Sequence, residues 1–121
     1  MLIRGKDRKF ELNIQAQDEI AQFCPNNDYG QVGQLLQGGT VNETQWSLIK
    51  VAIAMNRGYE DHRHFDDPDY TPDYLKESDF LFFTSDMIMQ LGDEVIGSMN
   101  RDSERTVDSK PLPGKKKQGK Q

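Results

Sequence analysis

The stretch from Tyr59 to Tyr74, YEDHRHFDDPDYTPDY, concentrates the groups that bind metals and move protons: His62, His64 and six carboxylates. Its spacing is tested first against known chemistry. On a helix, residues two apart stand ~200° apart, so His62 and His64 would face nearly opposite ways. On a strand they would share a face, but Pro68 and Pro72 oppose a long strand. His64 pairs with Glu60 at i, i+4 if a helix continues through both. Read as a calcium loop from Asp67, the sixth position is Pro72 where glycine is required, and the twelfth is Ser78 where glutamate is required. No HExxH motif or cysteine pair supplies a zinc site. The stretch therefore reads as a solvated connector between helices. No catalytic, cofactor or metal site is expected, and a metal-dependent enzyme using Asp61, His62, His64 and Asp66 ranks last among the functional hypotheses.

Cys24 is the one cysteine, which excludes an internal disulfide and fits a reducing compartment. A nucleophilic thiol needs a base and an activating field. The only histidines lie in the stretch above, so Cys24 reads as a small buried hydrophobe at a helix end. Gly30-x-x-Gly33 and Gly38-Gly39 lack the Gly-Lys-Ser/Thr and the strand–loop–helix setting of a phosphate loop.

The elements that must position these residues follow from pattern and composition. The chain has 121 residues, 35% hydrophobic, and a formal net charge of −5, which suits one domain with a modest core. Lys110, Lys115, Lys116, Lys117 and Lys120 lie in a C-terminal stretch without Asp or Glu, leaving 10 basic against 20 acidic groups in residues 1–109. An acidic body opposes nucleic-acid binding. The N-terminus shows no apolar signal region, and the longest apolar run, Phe80–Phe83, is too short to span a membrane.

Leu2–Arg4 and Arg8–Ile14 are expected to pair as a β-hairpin around Gly5-Lys6-Asp7, with Phe10, Leu12 and Ile14 on one face. Ala16, Ile20 and Phe23 mark a helix that Pro25 ends. Tyr29, Val32, Leu35 and Leu36 mark a second, closed by Gly38-Gly39. The third is expected to be capped by Asn42, with Gln45 three residues on and a Val41–Trp46 staple, and to stop near Asn56 and Gly58. Thr71-Pro72 reads as a helix start. Thr84-Ser85 reads as a cap or is passed through, and Ile88, Leu91, Val95 and Met99 form the last apolar stripe. The fold class is α+β, mostly α: a hairpin packed on four to five helices over residues 1–101. Residues 102–121 are expected to be a disordered polar and basic tail.

Two segments invite a partner. Phe80, Phe82, Phe83, Ile88, Leu91, Val95 and Met99 form an apolar segment, read either as a partner-binding patch or as core buried on both sides. Lys115, Lys116 and Lys117 form a basic run in the tail, solvated by default and otherwise a second contact site.

The order of parts resembles the tail assembly chaperones of long-tailed bacteriophages and prophages. It is carried by Ile3-Arg4-Gly5-Lys6-Asp7-Arg8-Lys9-Phe10-Glu11-Leu12, by Asp18-Glu19-Ile20, by Leu35–Gly39 (LLQGG) and by the helix Trp46–Met55. Thr71-Pro72-Asp73-Tyr74-Leu75, Glu94–Met99 (EVIGSM) and a polar tail complete it. The HRHFDDPDY insertion and the Phe80–Phe83 run depart from the pattern. The resemblance implies a protein that binds the tape-measure protein, keeps its apolar helices soluble and recruits major tail-tube subunits. It would act in the bacterial host's cytoplasm, be absent from the mature virion, and need no enzyme activity, cofactor, nucleic acid or membrane. Homo-oligomerisation stays open. Many such proteins have a longer form made by ribosomal frameshifting, for which Lys115-Lys116-Lys117 is a compatible site. The competing hypothesis is a small acidic phage- or prophage-encoded adaptor that inhibits a host nucleic-acid-binding protein by presenting carboxylates in place of phosphates.

Overall fold

The structure, a computed structural model, describes residues 1–108. The chain opens with a short antiparallel hairpin, β1 (Leu2–Ile3) and β2 (Lys6–Asp7), with Leu2 opposite Asp7 and Ile3 opposite Lys6. The turn is Arg4-Gly5, with φ of 55° and 76°. A two-residue turn with positive φ at both positions matches the right-handed twist of paired strands. The turn thus lies one step earlier than expected, and Lys6 and Asp7 belong to a strand. The return strand expected over Arg8–Ile14 is instead an extended arm without a strand partner. Its alternation survives: Arg8, Phe10 and Leu12 are buried. Ile14 leaves the pattern because it is the first residue of a helix, and it is 72% exposed.

That helix is α1 (Ile14–Ala21), capped by Asn13, whose Oδ1 accepts from the Ala16 amide at 3.0 Å. Ala16 and Ile20 are fully buried, and Cys24 takes the inward place expected of Phe23. Two 3-10 turns, Pro25–Asn27 and Tyr29–Gln31, lead into α2 (Val32–Gln37). The expected stripe of Tyr29, Val32, Leu35 and Leu36 packs, partly buried, on the core.

The longest element, α3 (Val41–Asp66, 26 residues), starts at a capping box one turn's edge upstream of the expected one. The Glu43 amide donates to Thr40 Oγ1 at 3.1 Å and the Thr40 amide to Glu43 Oε1 at 2.8 Å. Gly58 does not stop this helix. A Cβ there would lie 2.7 Å from Asn13 Oδ1, so glycine lets the α1 cap approach. Asn13 Nδ2 in turn donates to the Gly58 carbonyl at 3.0 Å. The first half of the His/Asp-rich stretch is therefore helix rather than connector.

No helix starts at Pro72. Asn56, fully buried, donates from Nδ2 to the Lys9 carbonyl (3.1 Å) and accepts the Leu75 amide on Oδ1 (3.1 Å). Glu60, one turn on and also buried, accepts the Asp73 amide (2.9 Å) and the Tyr70 hydroxyl (2.6 Å) on Oε1. Residues 72–75 run extended, with the Asp73 and Leu75 amides bonded to side chains of α3. A 3-10 turn (Glu77–Phe80) follows, and then α4 (Ser85–Asp108). Thr84 caps α4, its Oγ1 accepting from the Met87 amide at 3.4 Å.

Leu91 and Val95 of α4 are fully buried, and Ile88 and Met99 pack partly buried on the same core. The helix passes the expected boundary at 101, and Arg101 and Asp102 dock on the arm. Arg101 Nη2 donates to the Phe10 carbonyl (3.2 Å), and Asp102 Oδ2 accepts the Leu12 amide (2.7 Å). The rest of the expected tail, with Lys115, Lys116 and Lys117, lies outside the described residues. The α+β, mostly helical class expected from the sequence is the observed one.

Truncating Asn56 strands a buried carbonyl and a buried amide, each costing ~1–3 kcal/mol. Asn56→Ala is expected to lower unfolding free energy in urea by about 2–4 kcal/mol, against about 1 kcal/mol for Thr40→Ala at the exposed cap. Equal effects of the two variants would contradict the clamp assigned to Asn56.

Candidate functional site

The arm, α3 and α4 together enclose a polar cleft of about 570 Å³. Lys9, Glu11, Tyr59, His62, Glu94 and Arg101 are among its lining residues. His62 sits on the rim with both ring nitrogens engaged by carboxylates. Nδ1 lies 2.9 and 3.1 Å from the Glu11 oxygens, and Nε2 lies 3.3 Å from Asp66. The hydrogen bond and charge of Glu11 raise its pKa above the usual 6.5, outweighing desolvation. With carboxylates against both ring nitrogens, neither nitrogen is open to a substrate proton. His64 points away, its Nδ1 2.8 Å from the Tyr70 carbonyl. The two histidines thus diverge, as their spacing on a helix requires. No group of three or more His, Cys, Asp or Glu among the described residues is arranged to hold a metal ion.

The remaining charges of the cleft are also paired. Asp7 and Lys9 bond each other at 2.9 Å, which lowers the carboxyl's pKa and raises the ammonium's. Asp102 holds Arg101 through Nε at 3.0 Å. Cys24 is buried, and desolvation raises its thiol pKa, the opposite of what a nucleophile needs.

Of the apolar segment singled out in the sequence, the structure leaves one side chain wholly outside. Phe82 is 91% exposed, while Phe80, Leu91 and Val95 are buried. Phe83, Ile88 and Met99 are partly buried against the core. Phe83 also packs its ring on Phe80 at 5.0 Å between centroids. The run therefore divides between core and surface, since four successive large side chains at a helix entry cannot share one face.

Phe23 and Leu35, which the sequence puts on helical stripes, and Trp46, which it puts in a staple, line an open apolar groove of about 510 Å³ between α2 and the start of α3, rimmed by Asn42, Glu43, Ser47 and Lys50; Leu35 also packs, partly buried, on the core. Phe23 and Trp46 remain more than a third exposed, and the Lys50 ammonium lies 5.5 Å from the Phe23 ring centroid. The helical stripes in the sequence include these residues but do not say which end of a stripe runs off the core. A second apolar pair, Ile14 and Phe65, stands exposed where α1 meets the end of α3. Among the described residues no helix is long and apolar enough to cross a membrane. Compared with known protein families, curated proteins and solved structures, the chain has no match.

The raised pKa of His62 fixes the sign of a pH effect. The ion pairs it makes contribute fully below pH 6.5 and are lost as pH rises through the higher folded-state value. Because His62 is half exposed, solvent screening keeps the contribution below about 1 kcal/mol. An NMR titration is expected to place His62 above 6.5, and Glu11→Gln to bring it down. A His62 titration unaffected by Glu11→Gln would refute the pairing.

Proposed function

We propose that the protein is a tail assembly chaperone of a long-tailed bacteriophage or prophage, a binding protein rather than an enzyme. It holds apolar helices of the tape-measure protein in solution in the host cytoplasm, recruits tail-tube subunits and does not enter the mature virion. The observation that carries the reading is the open groove of Phe23, Leu35 and Trp46, joined to the order of sequence elements given above.

An amphipathic helix binds such a groove by laying apolar side chains at i, i+3 and i+4 into it. Aromatic side chains at the mouth give large contact area at small conformational cost. The polar rim of Asn42, Glu43, Ser47 and Lys50 satisfies the client's flanking polar groups. The groove is shallow and local, so each contact is modest and releasable, as a helper that leaves the finished particle requires. The surplus of carboxylates in residues 1–109 keeps copies apart while they carry an apolar client.

Coexpression with a tape-measure protein of a long-tailed phage tests this reading. Trp46→Asp is expected to reduce soluble tape-measure protein several-fold while circular dichroism shows a folded chain. Phe82→Asp tests the segment singled out in the sequence in the same assay. Unchanged client solubility with both folded variants would remove the groove and the Phe82 segment from the function.

A further inference from the structure

The groove of Phe23, Leu35 and Trp46 has an uneven electrostatic rim. Residues 1–109 carry 10 basic against 20 acidic groups, so carboxylates are abundant around every cation. Arg4, Lys6, Arg8, Lys9, Arg57 and Arg101 each lie within 3.4 Å of one. Lys50 makes no ion pair among the described residues. Its ammonium stands instead 5.5 Å from the Phe23 ring centroid, at the mouth of the groove.

The other rim groups do not offset this charge. Asn42 and Ser47 are neutral. Glu43 is already engaged: its Oε1 accepts the Thr40 amide at 2.8 Å, at the positive end of α3 and two turns from Lys50. The groove is therefore an apolar slot with an unpaired cation at one end.

That cation constrains what can fill the slot. The ring face attracts the ammonium, but its N–H donors stay with water. An occupant with apolar side chains alone would strip that water and leave the donors unmet. A cation on the occupant would add repulsion. A carboxylate restores the lost bonds and adds a charge-assisted one.

We infer that Lys50 sets the specificity of the groove for an amphipathic helix with an acidic flank. Its apolar side chains enter between Phe23, Leu35 and Trp46, and an Asp or Glu one turn away pairs with the Lys50 ammonium. This rests on the groove being the client site proposed above. A rim pair of this kind adds little affinity in water, but it separates acidic from basic helices of equal apolarity.

Trp46 is the one tryptophan of the chain, so its fluorescence reads the groove directly. The test titrates the full chain with two synthetic Ala-based helices of about 18 residues, free of aromatic residues. Both carry Leu at i, i+3, i+4 and i+7. One has Glu at the flanking positions and the other Lys. At about 0.15 M sodium chloride the field of the acidic body is screened beyond about 8 Å, and direct contacts decide the order. The Glu-flanked helix is expected to bind about threefold more tightly than the Lys-flanked one, against the net charge of the protein. Lys50→Gln should abolish that preference and Lys50→Glu should reverse it, with circular dichroism of both variants unchanged. Tighter binding of the Lys-flanked helix to the native protein, or a preference that survives both variants, would overturn the role of Lys50 and leave the groove as a helix site. Trp46 emission indifferent to both peptides would overturn the groove itself, and this inference with it.

Discussion

One face of α3 has to satisfy the backbone of two chain segments that have no regular structure of their own. The arm (residues 8–13) and the segment 70–76 both lie on this helix, and each must place its amides and carbonyls somewhere. Asn56 answers one group from each, Lys9 O and Leu75 N. Glu60 takes the Asp73 amide and the Tyr70 hydroxyl. The Met55 carbonyl accepts the Glu11 amide at 3.1 Å, and the Gly58 carbonyl accepts Asn13. A helix interior normally offers apolar side chains to its neighbours. Here a polar strip runs beside the apolar one, and without it both segments would carry buried unpaired groups.

The rest of the architecture follows from that docking. Because the arm lies on α3, Phe10 and Leu12 enter the core, and the arm's outer edge is free to receive α4 through Arg101 and Asp102. Because segment 70–76 is held extended, Leu75 is drawn into the core. Arg8 gains the Asp73 carbonyl at 3.0 Å, tying hairpin, arm and segment together. The Arg4–Asp79 pair at 2.8 Å extends the same link to the turn before α4. The acidic stretch between Tyr59 and Tyr74 thus has a structural task. Its carboxylates fix a chain path, which accounts for their density without a metal.

The apolar surface lies at the margins of this arrangement, where each helix outruns the layer below it. Trp46 and Phe23 border the groove at the start of α3, while Phe65 and Ile14 meet at its far end. Two apolar openings at opposite ends of one helix, on a body rich in carboxylates, suit a molecule that handles other chains.

The sequence by itself determined what depends on local pattern. Alternation through Phe10 and Leu12, the stripe of Leu91 and Val95 and the divergence of His62 and His64 are all consequences of fixed periodicities, legible without a partner. The capping box was legible in kind but was assigned two residues late, since Thr40-x-x-Glu43 and Asn42-x-x-Gln45 satisfy nearly the same rule. Tertiary structure alone decided whatever needed a distant neighbour. Gly58 sits inside α3, where the absence of a Cβ lets Asn13 approach, and the chain after Pro72 runs extended with the Asp73 and Leu75 amides on Glu60 and Asn56. Phe80 turns inward while Phe82 turns out, and Trp46 ends at the mouth of a groove. Periodicity says which side chains share a face. It does not say where that face ends, because the edge of a core is set by elements far away in sequence.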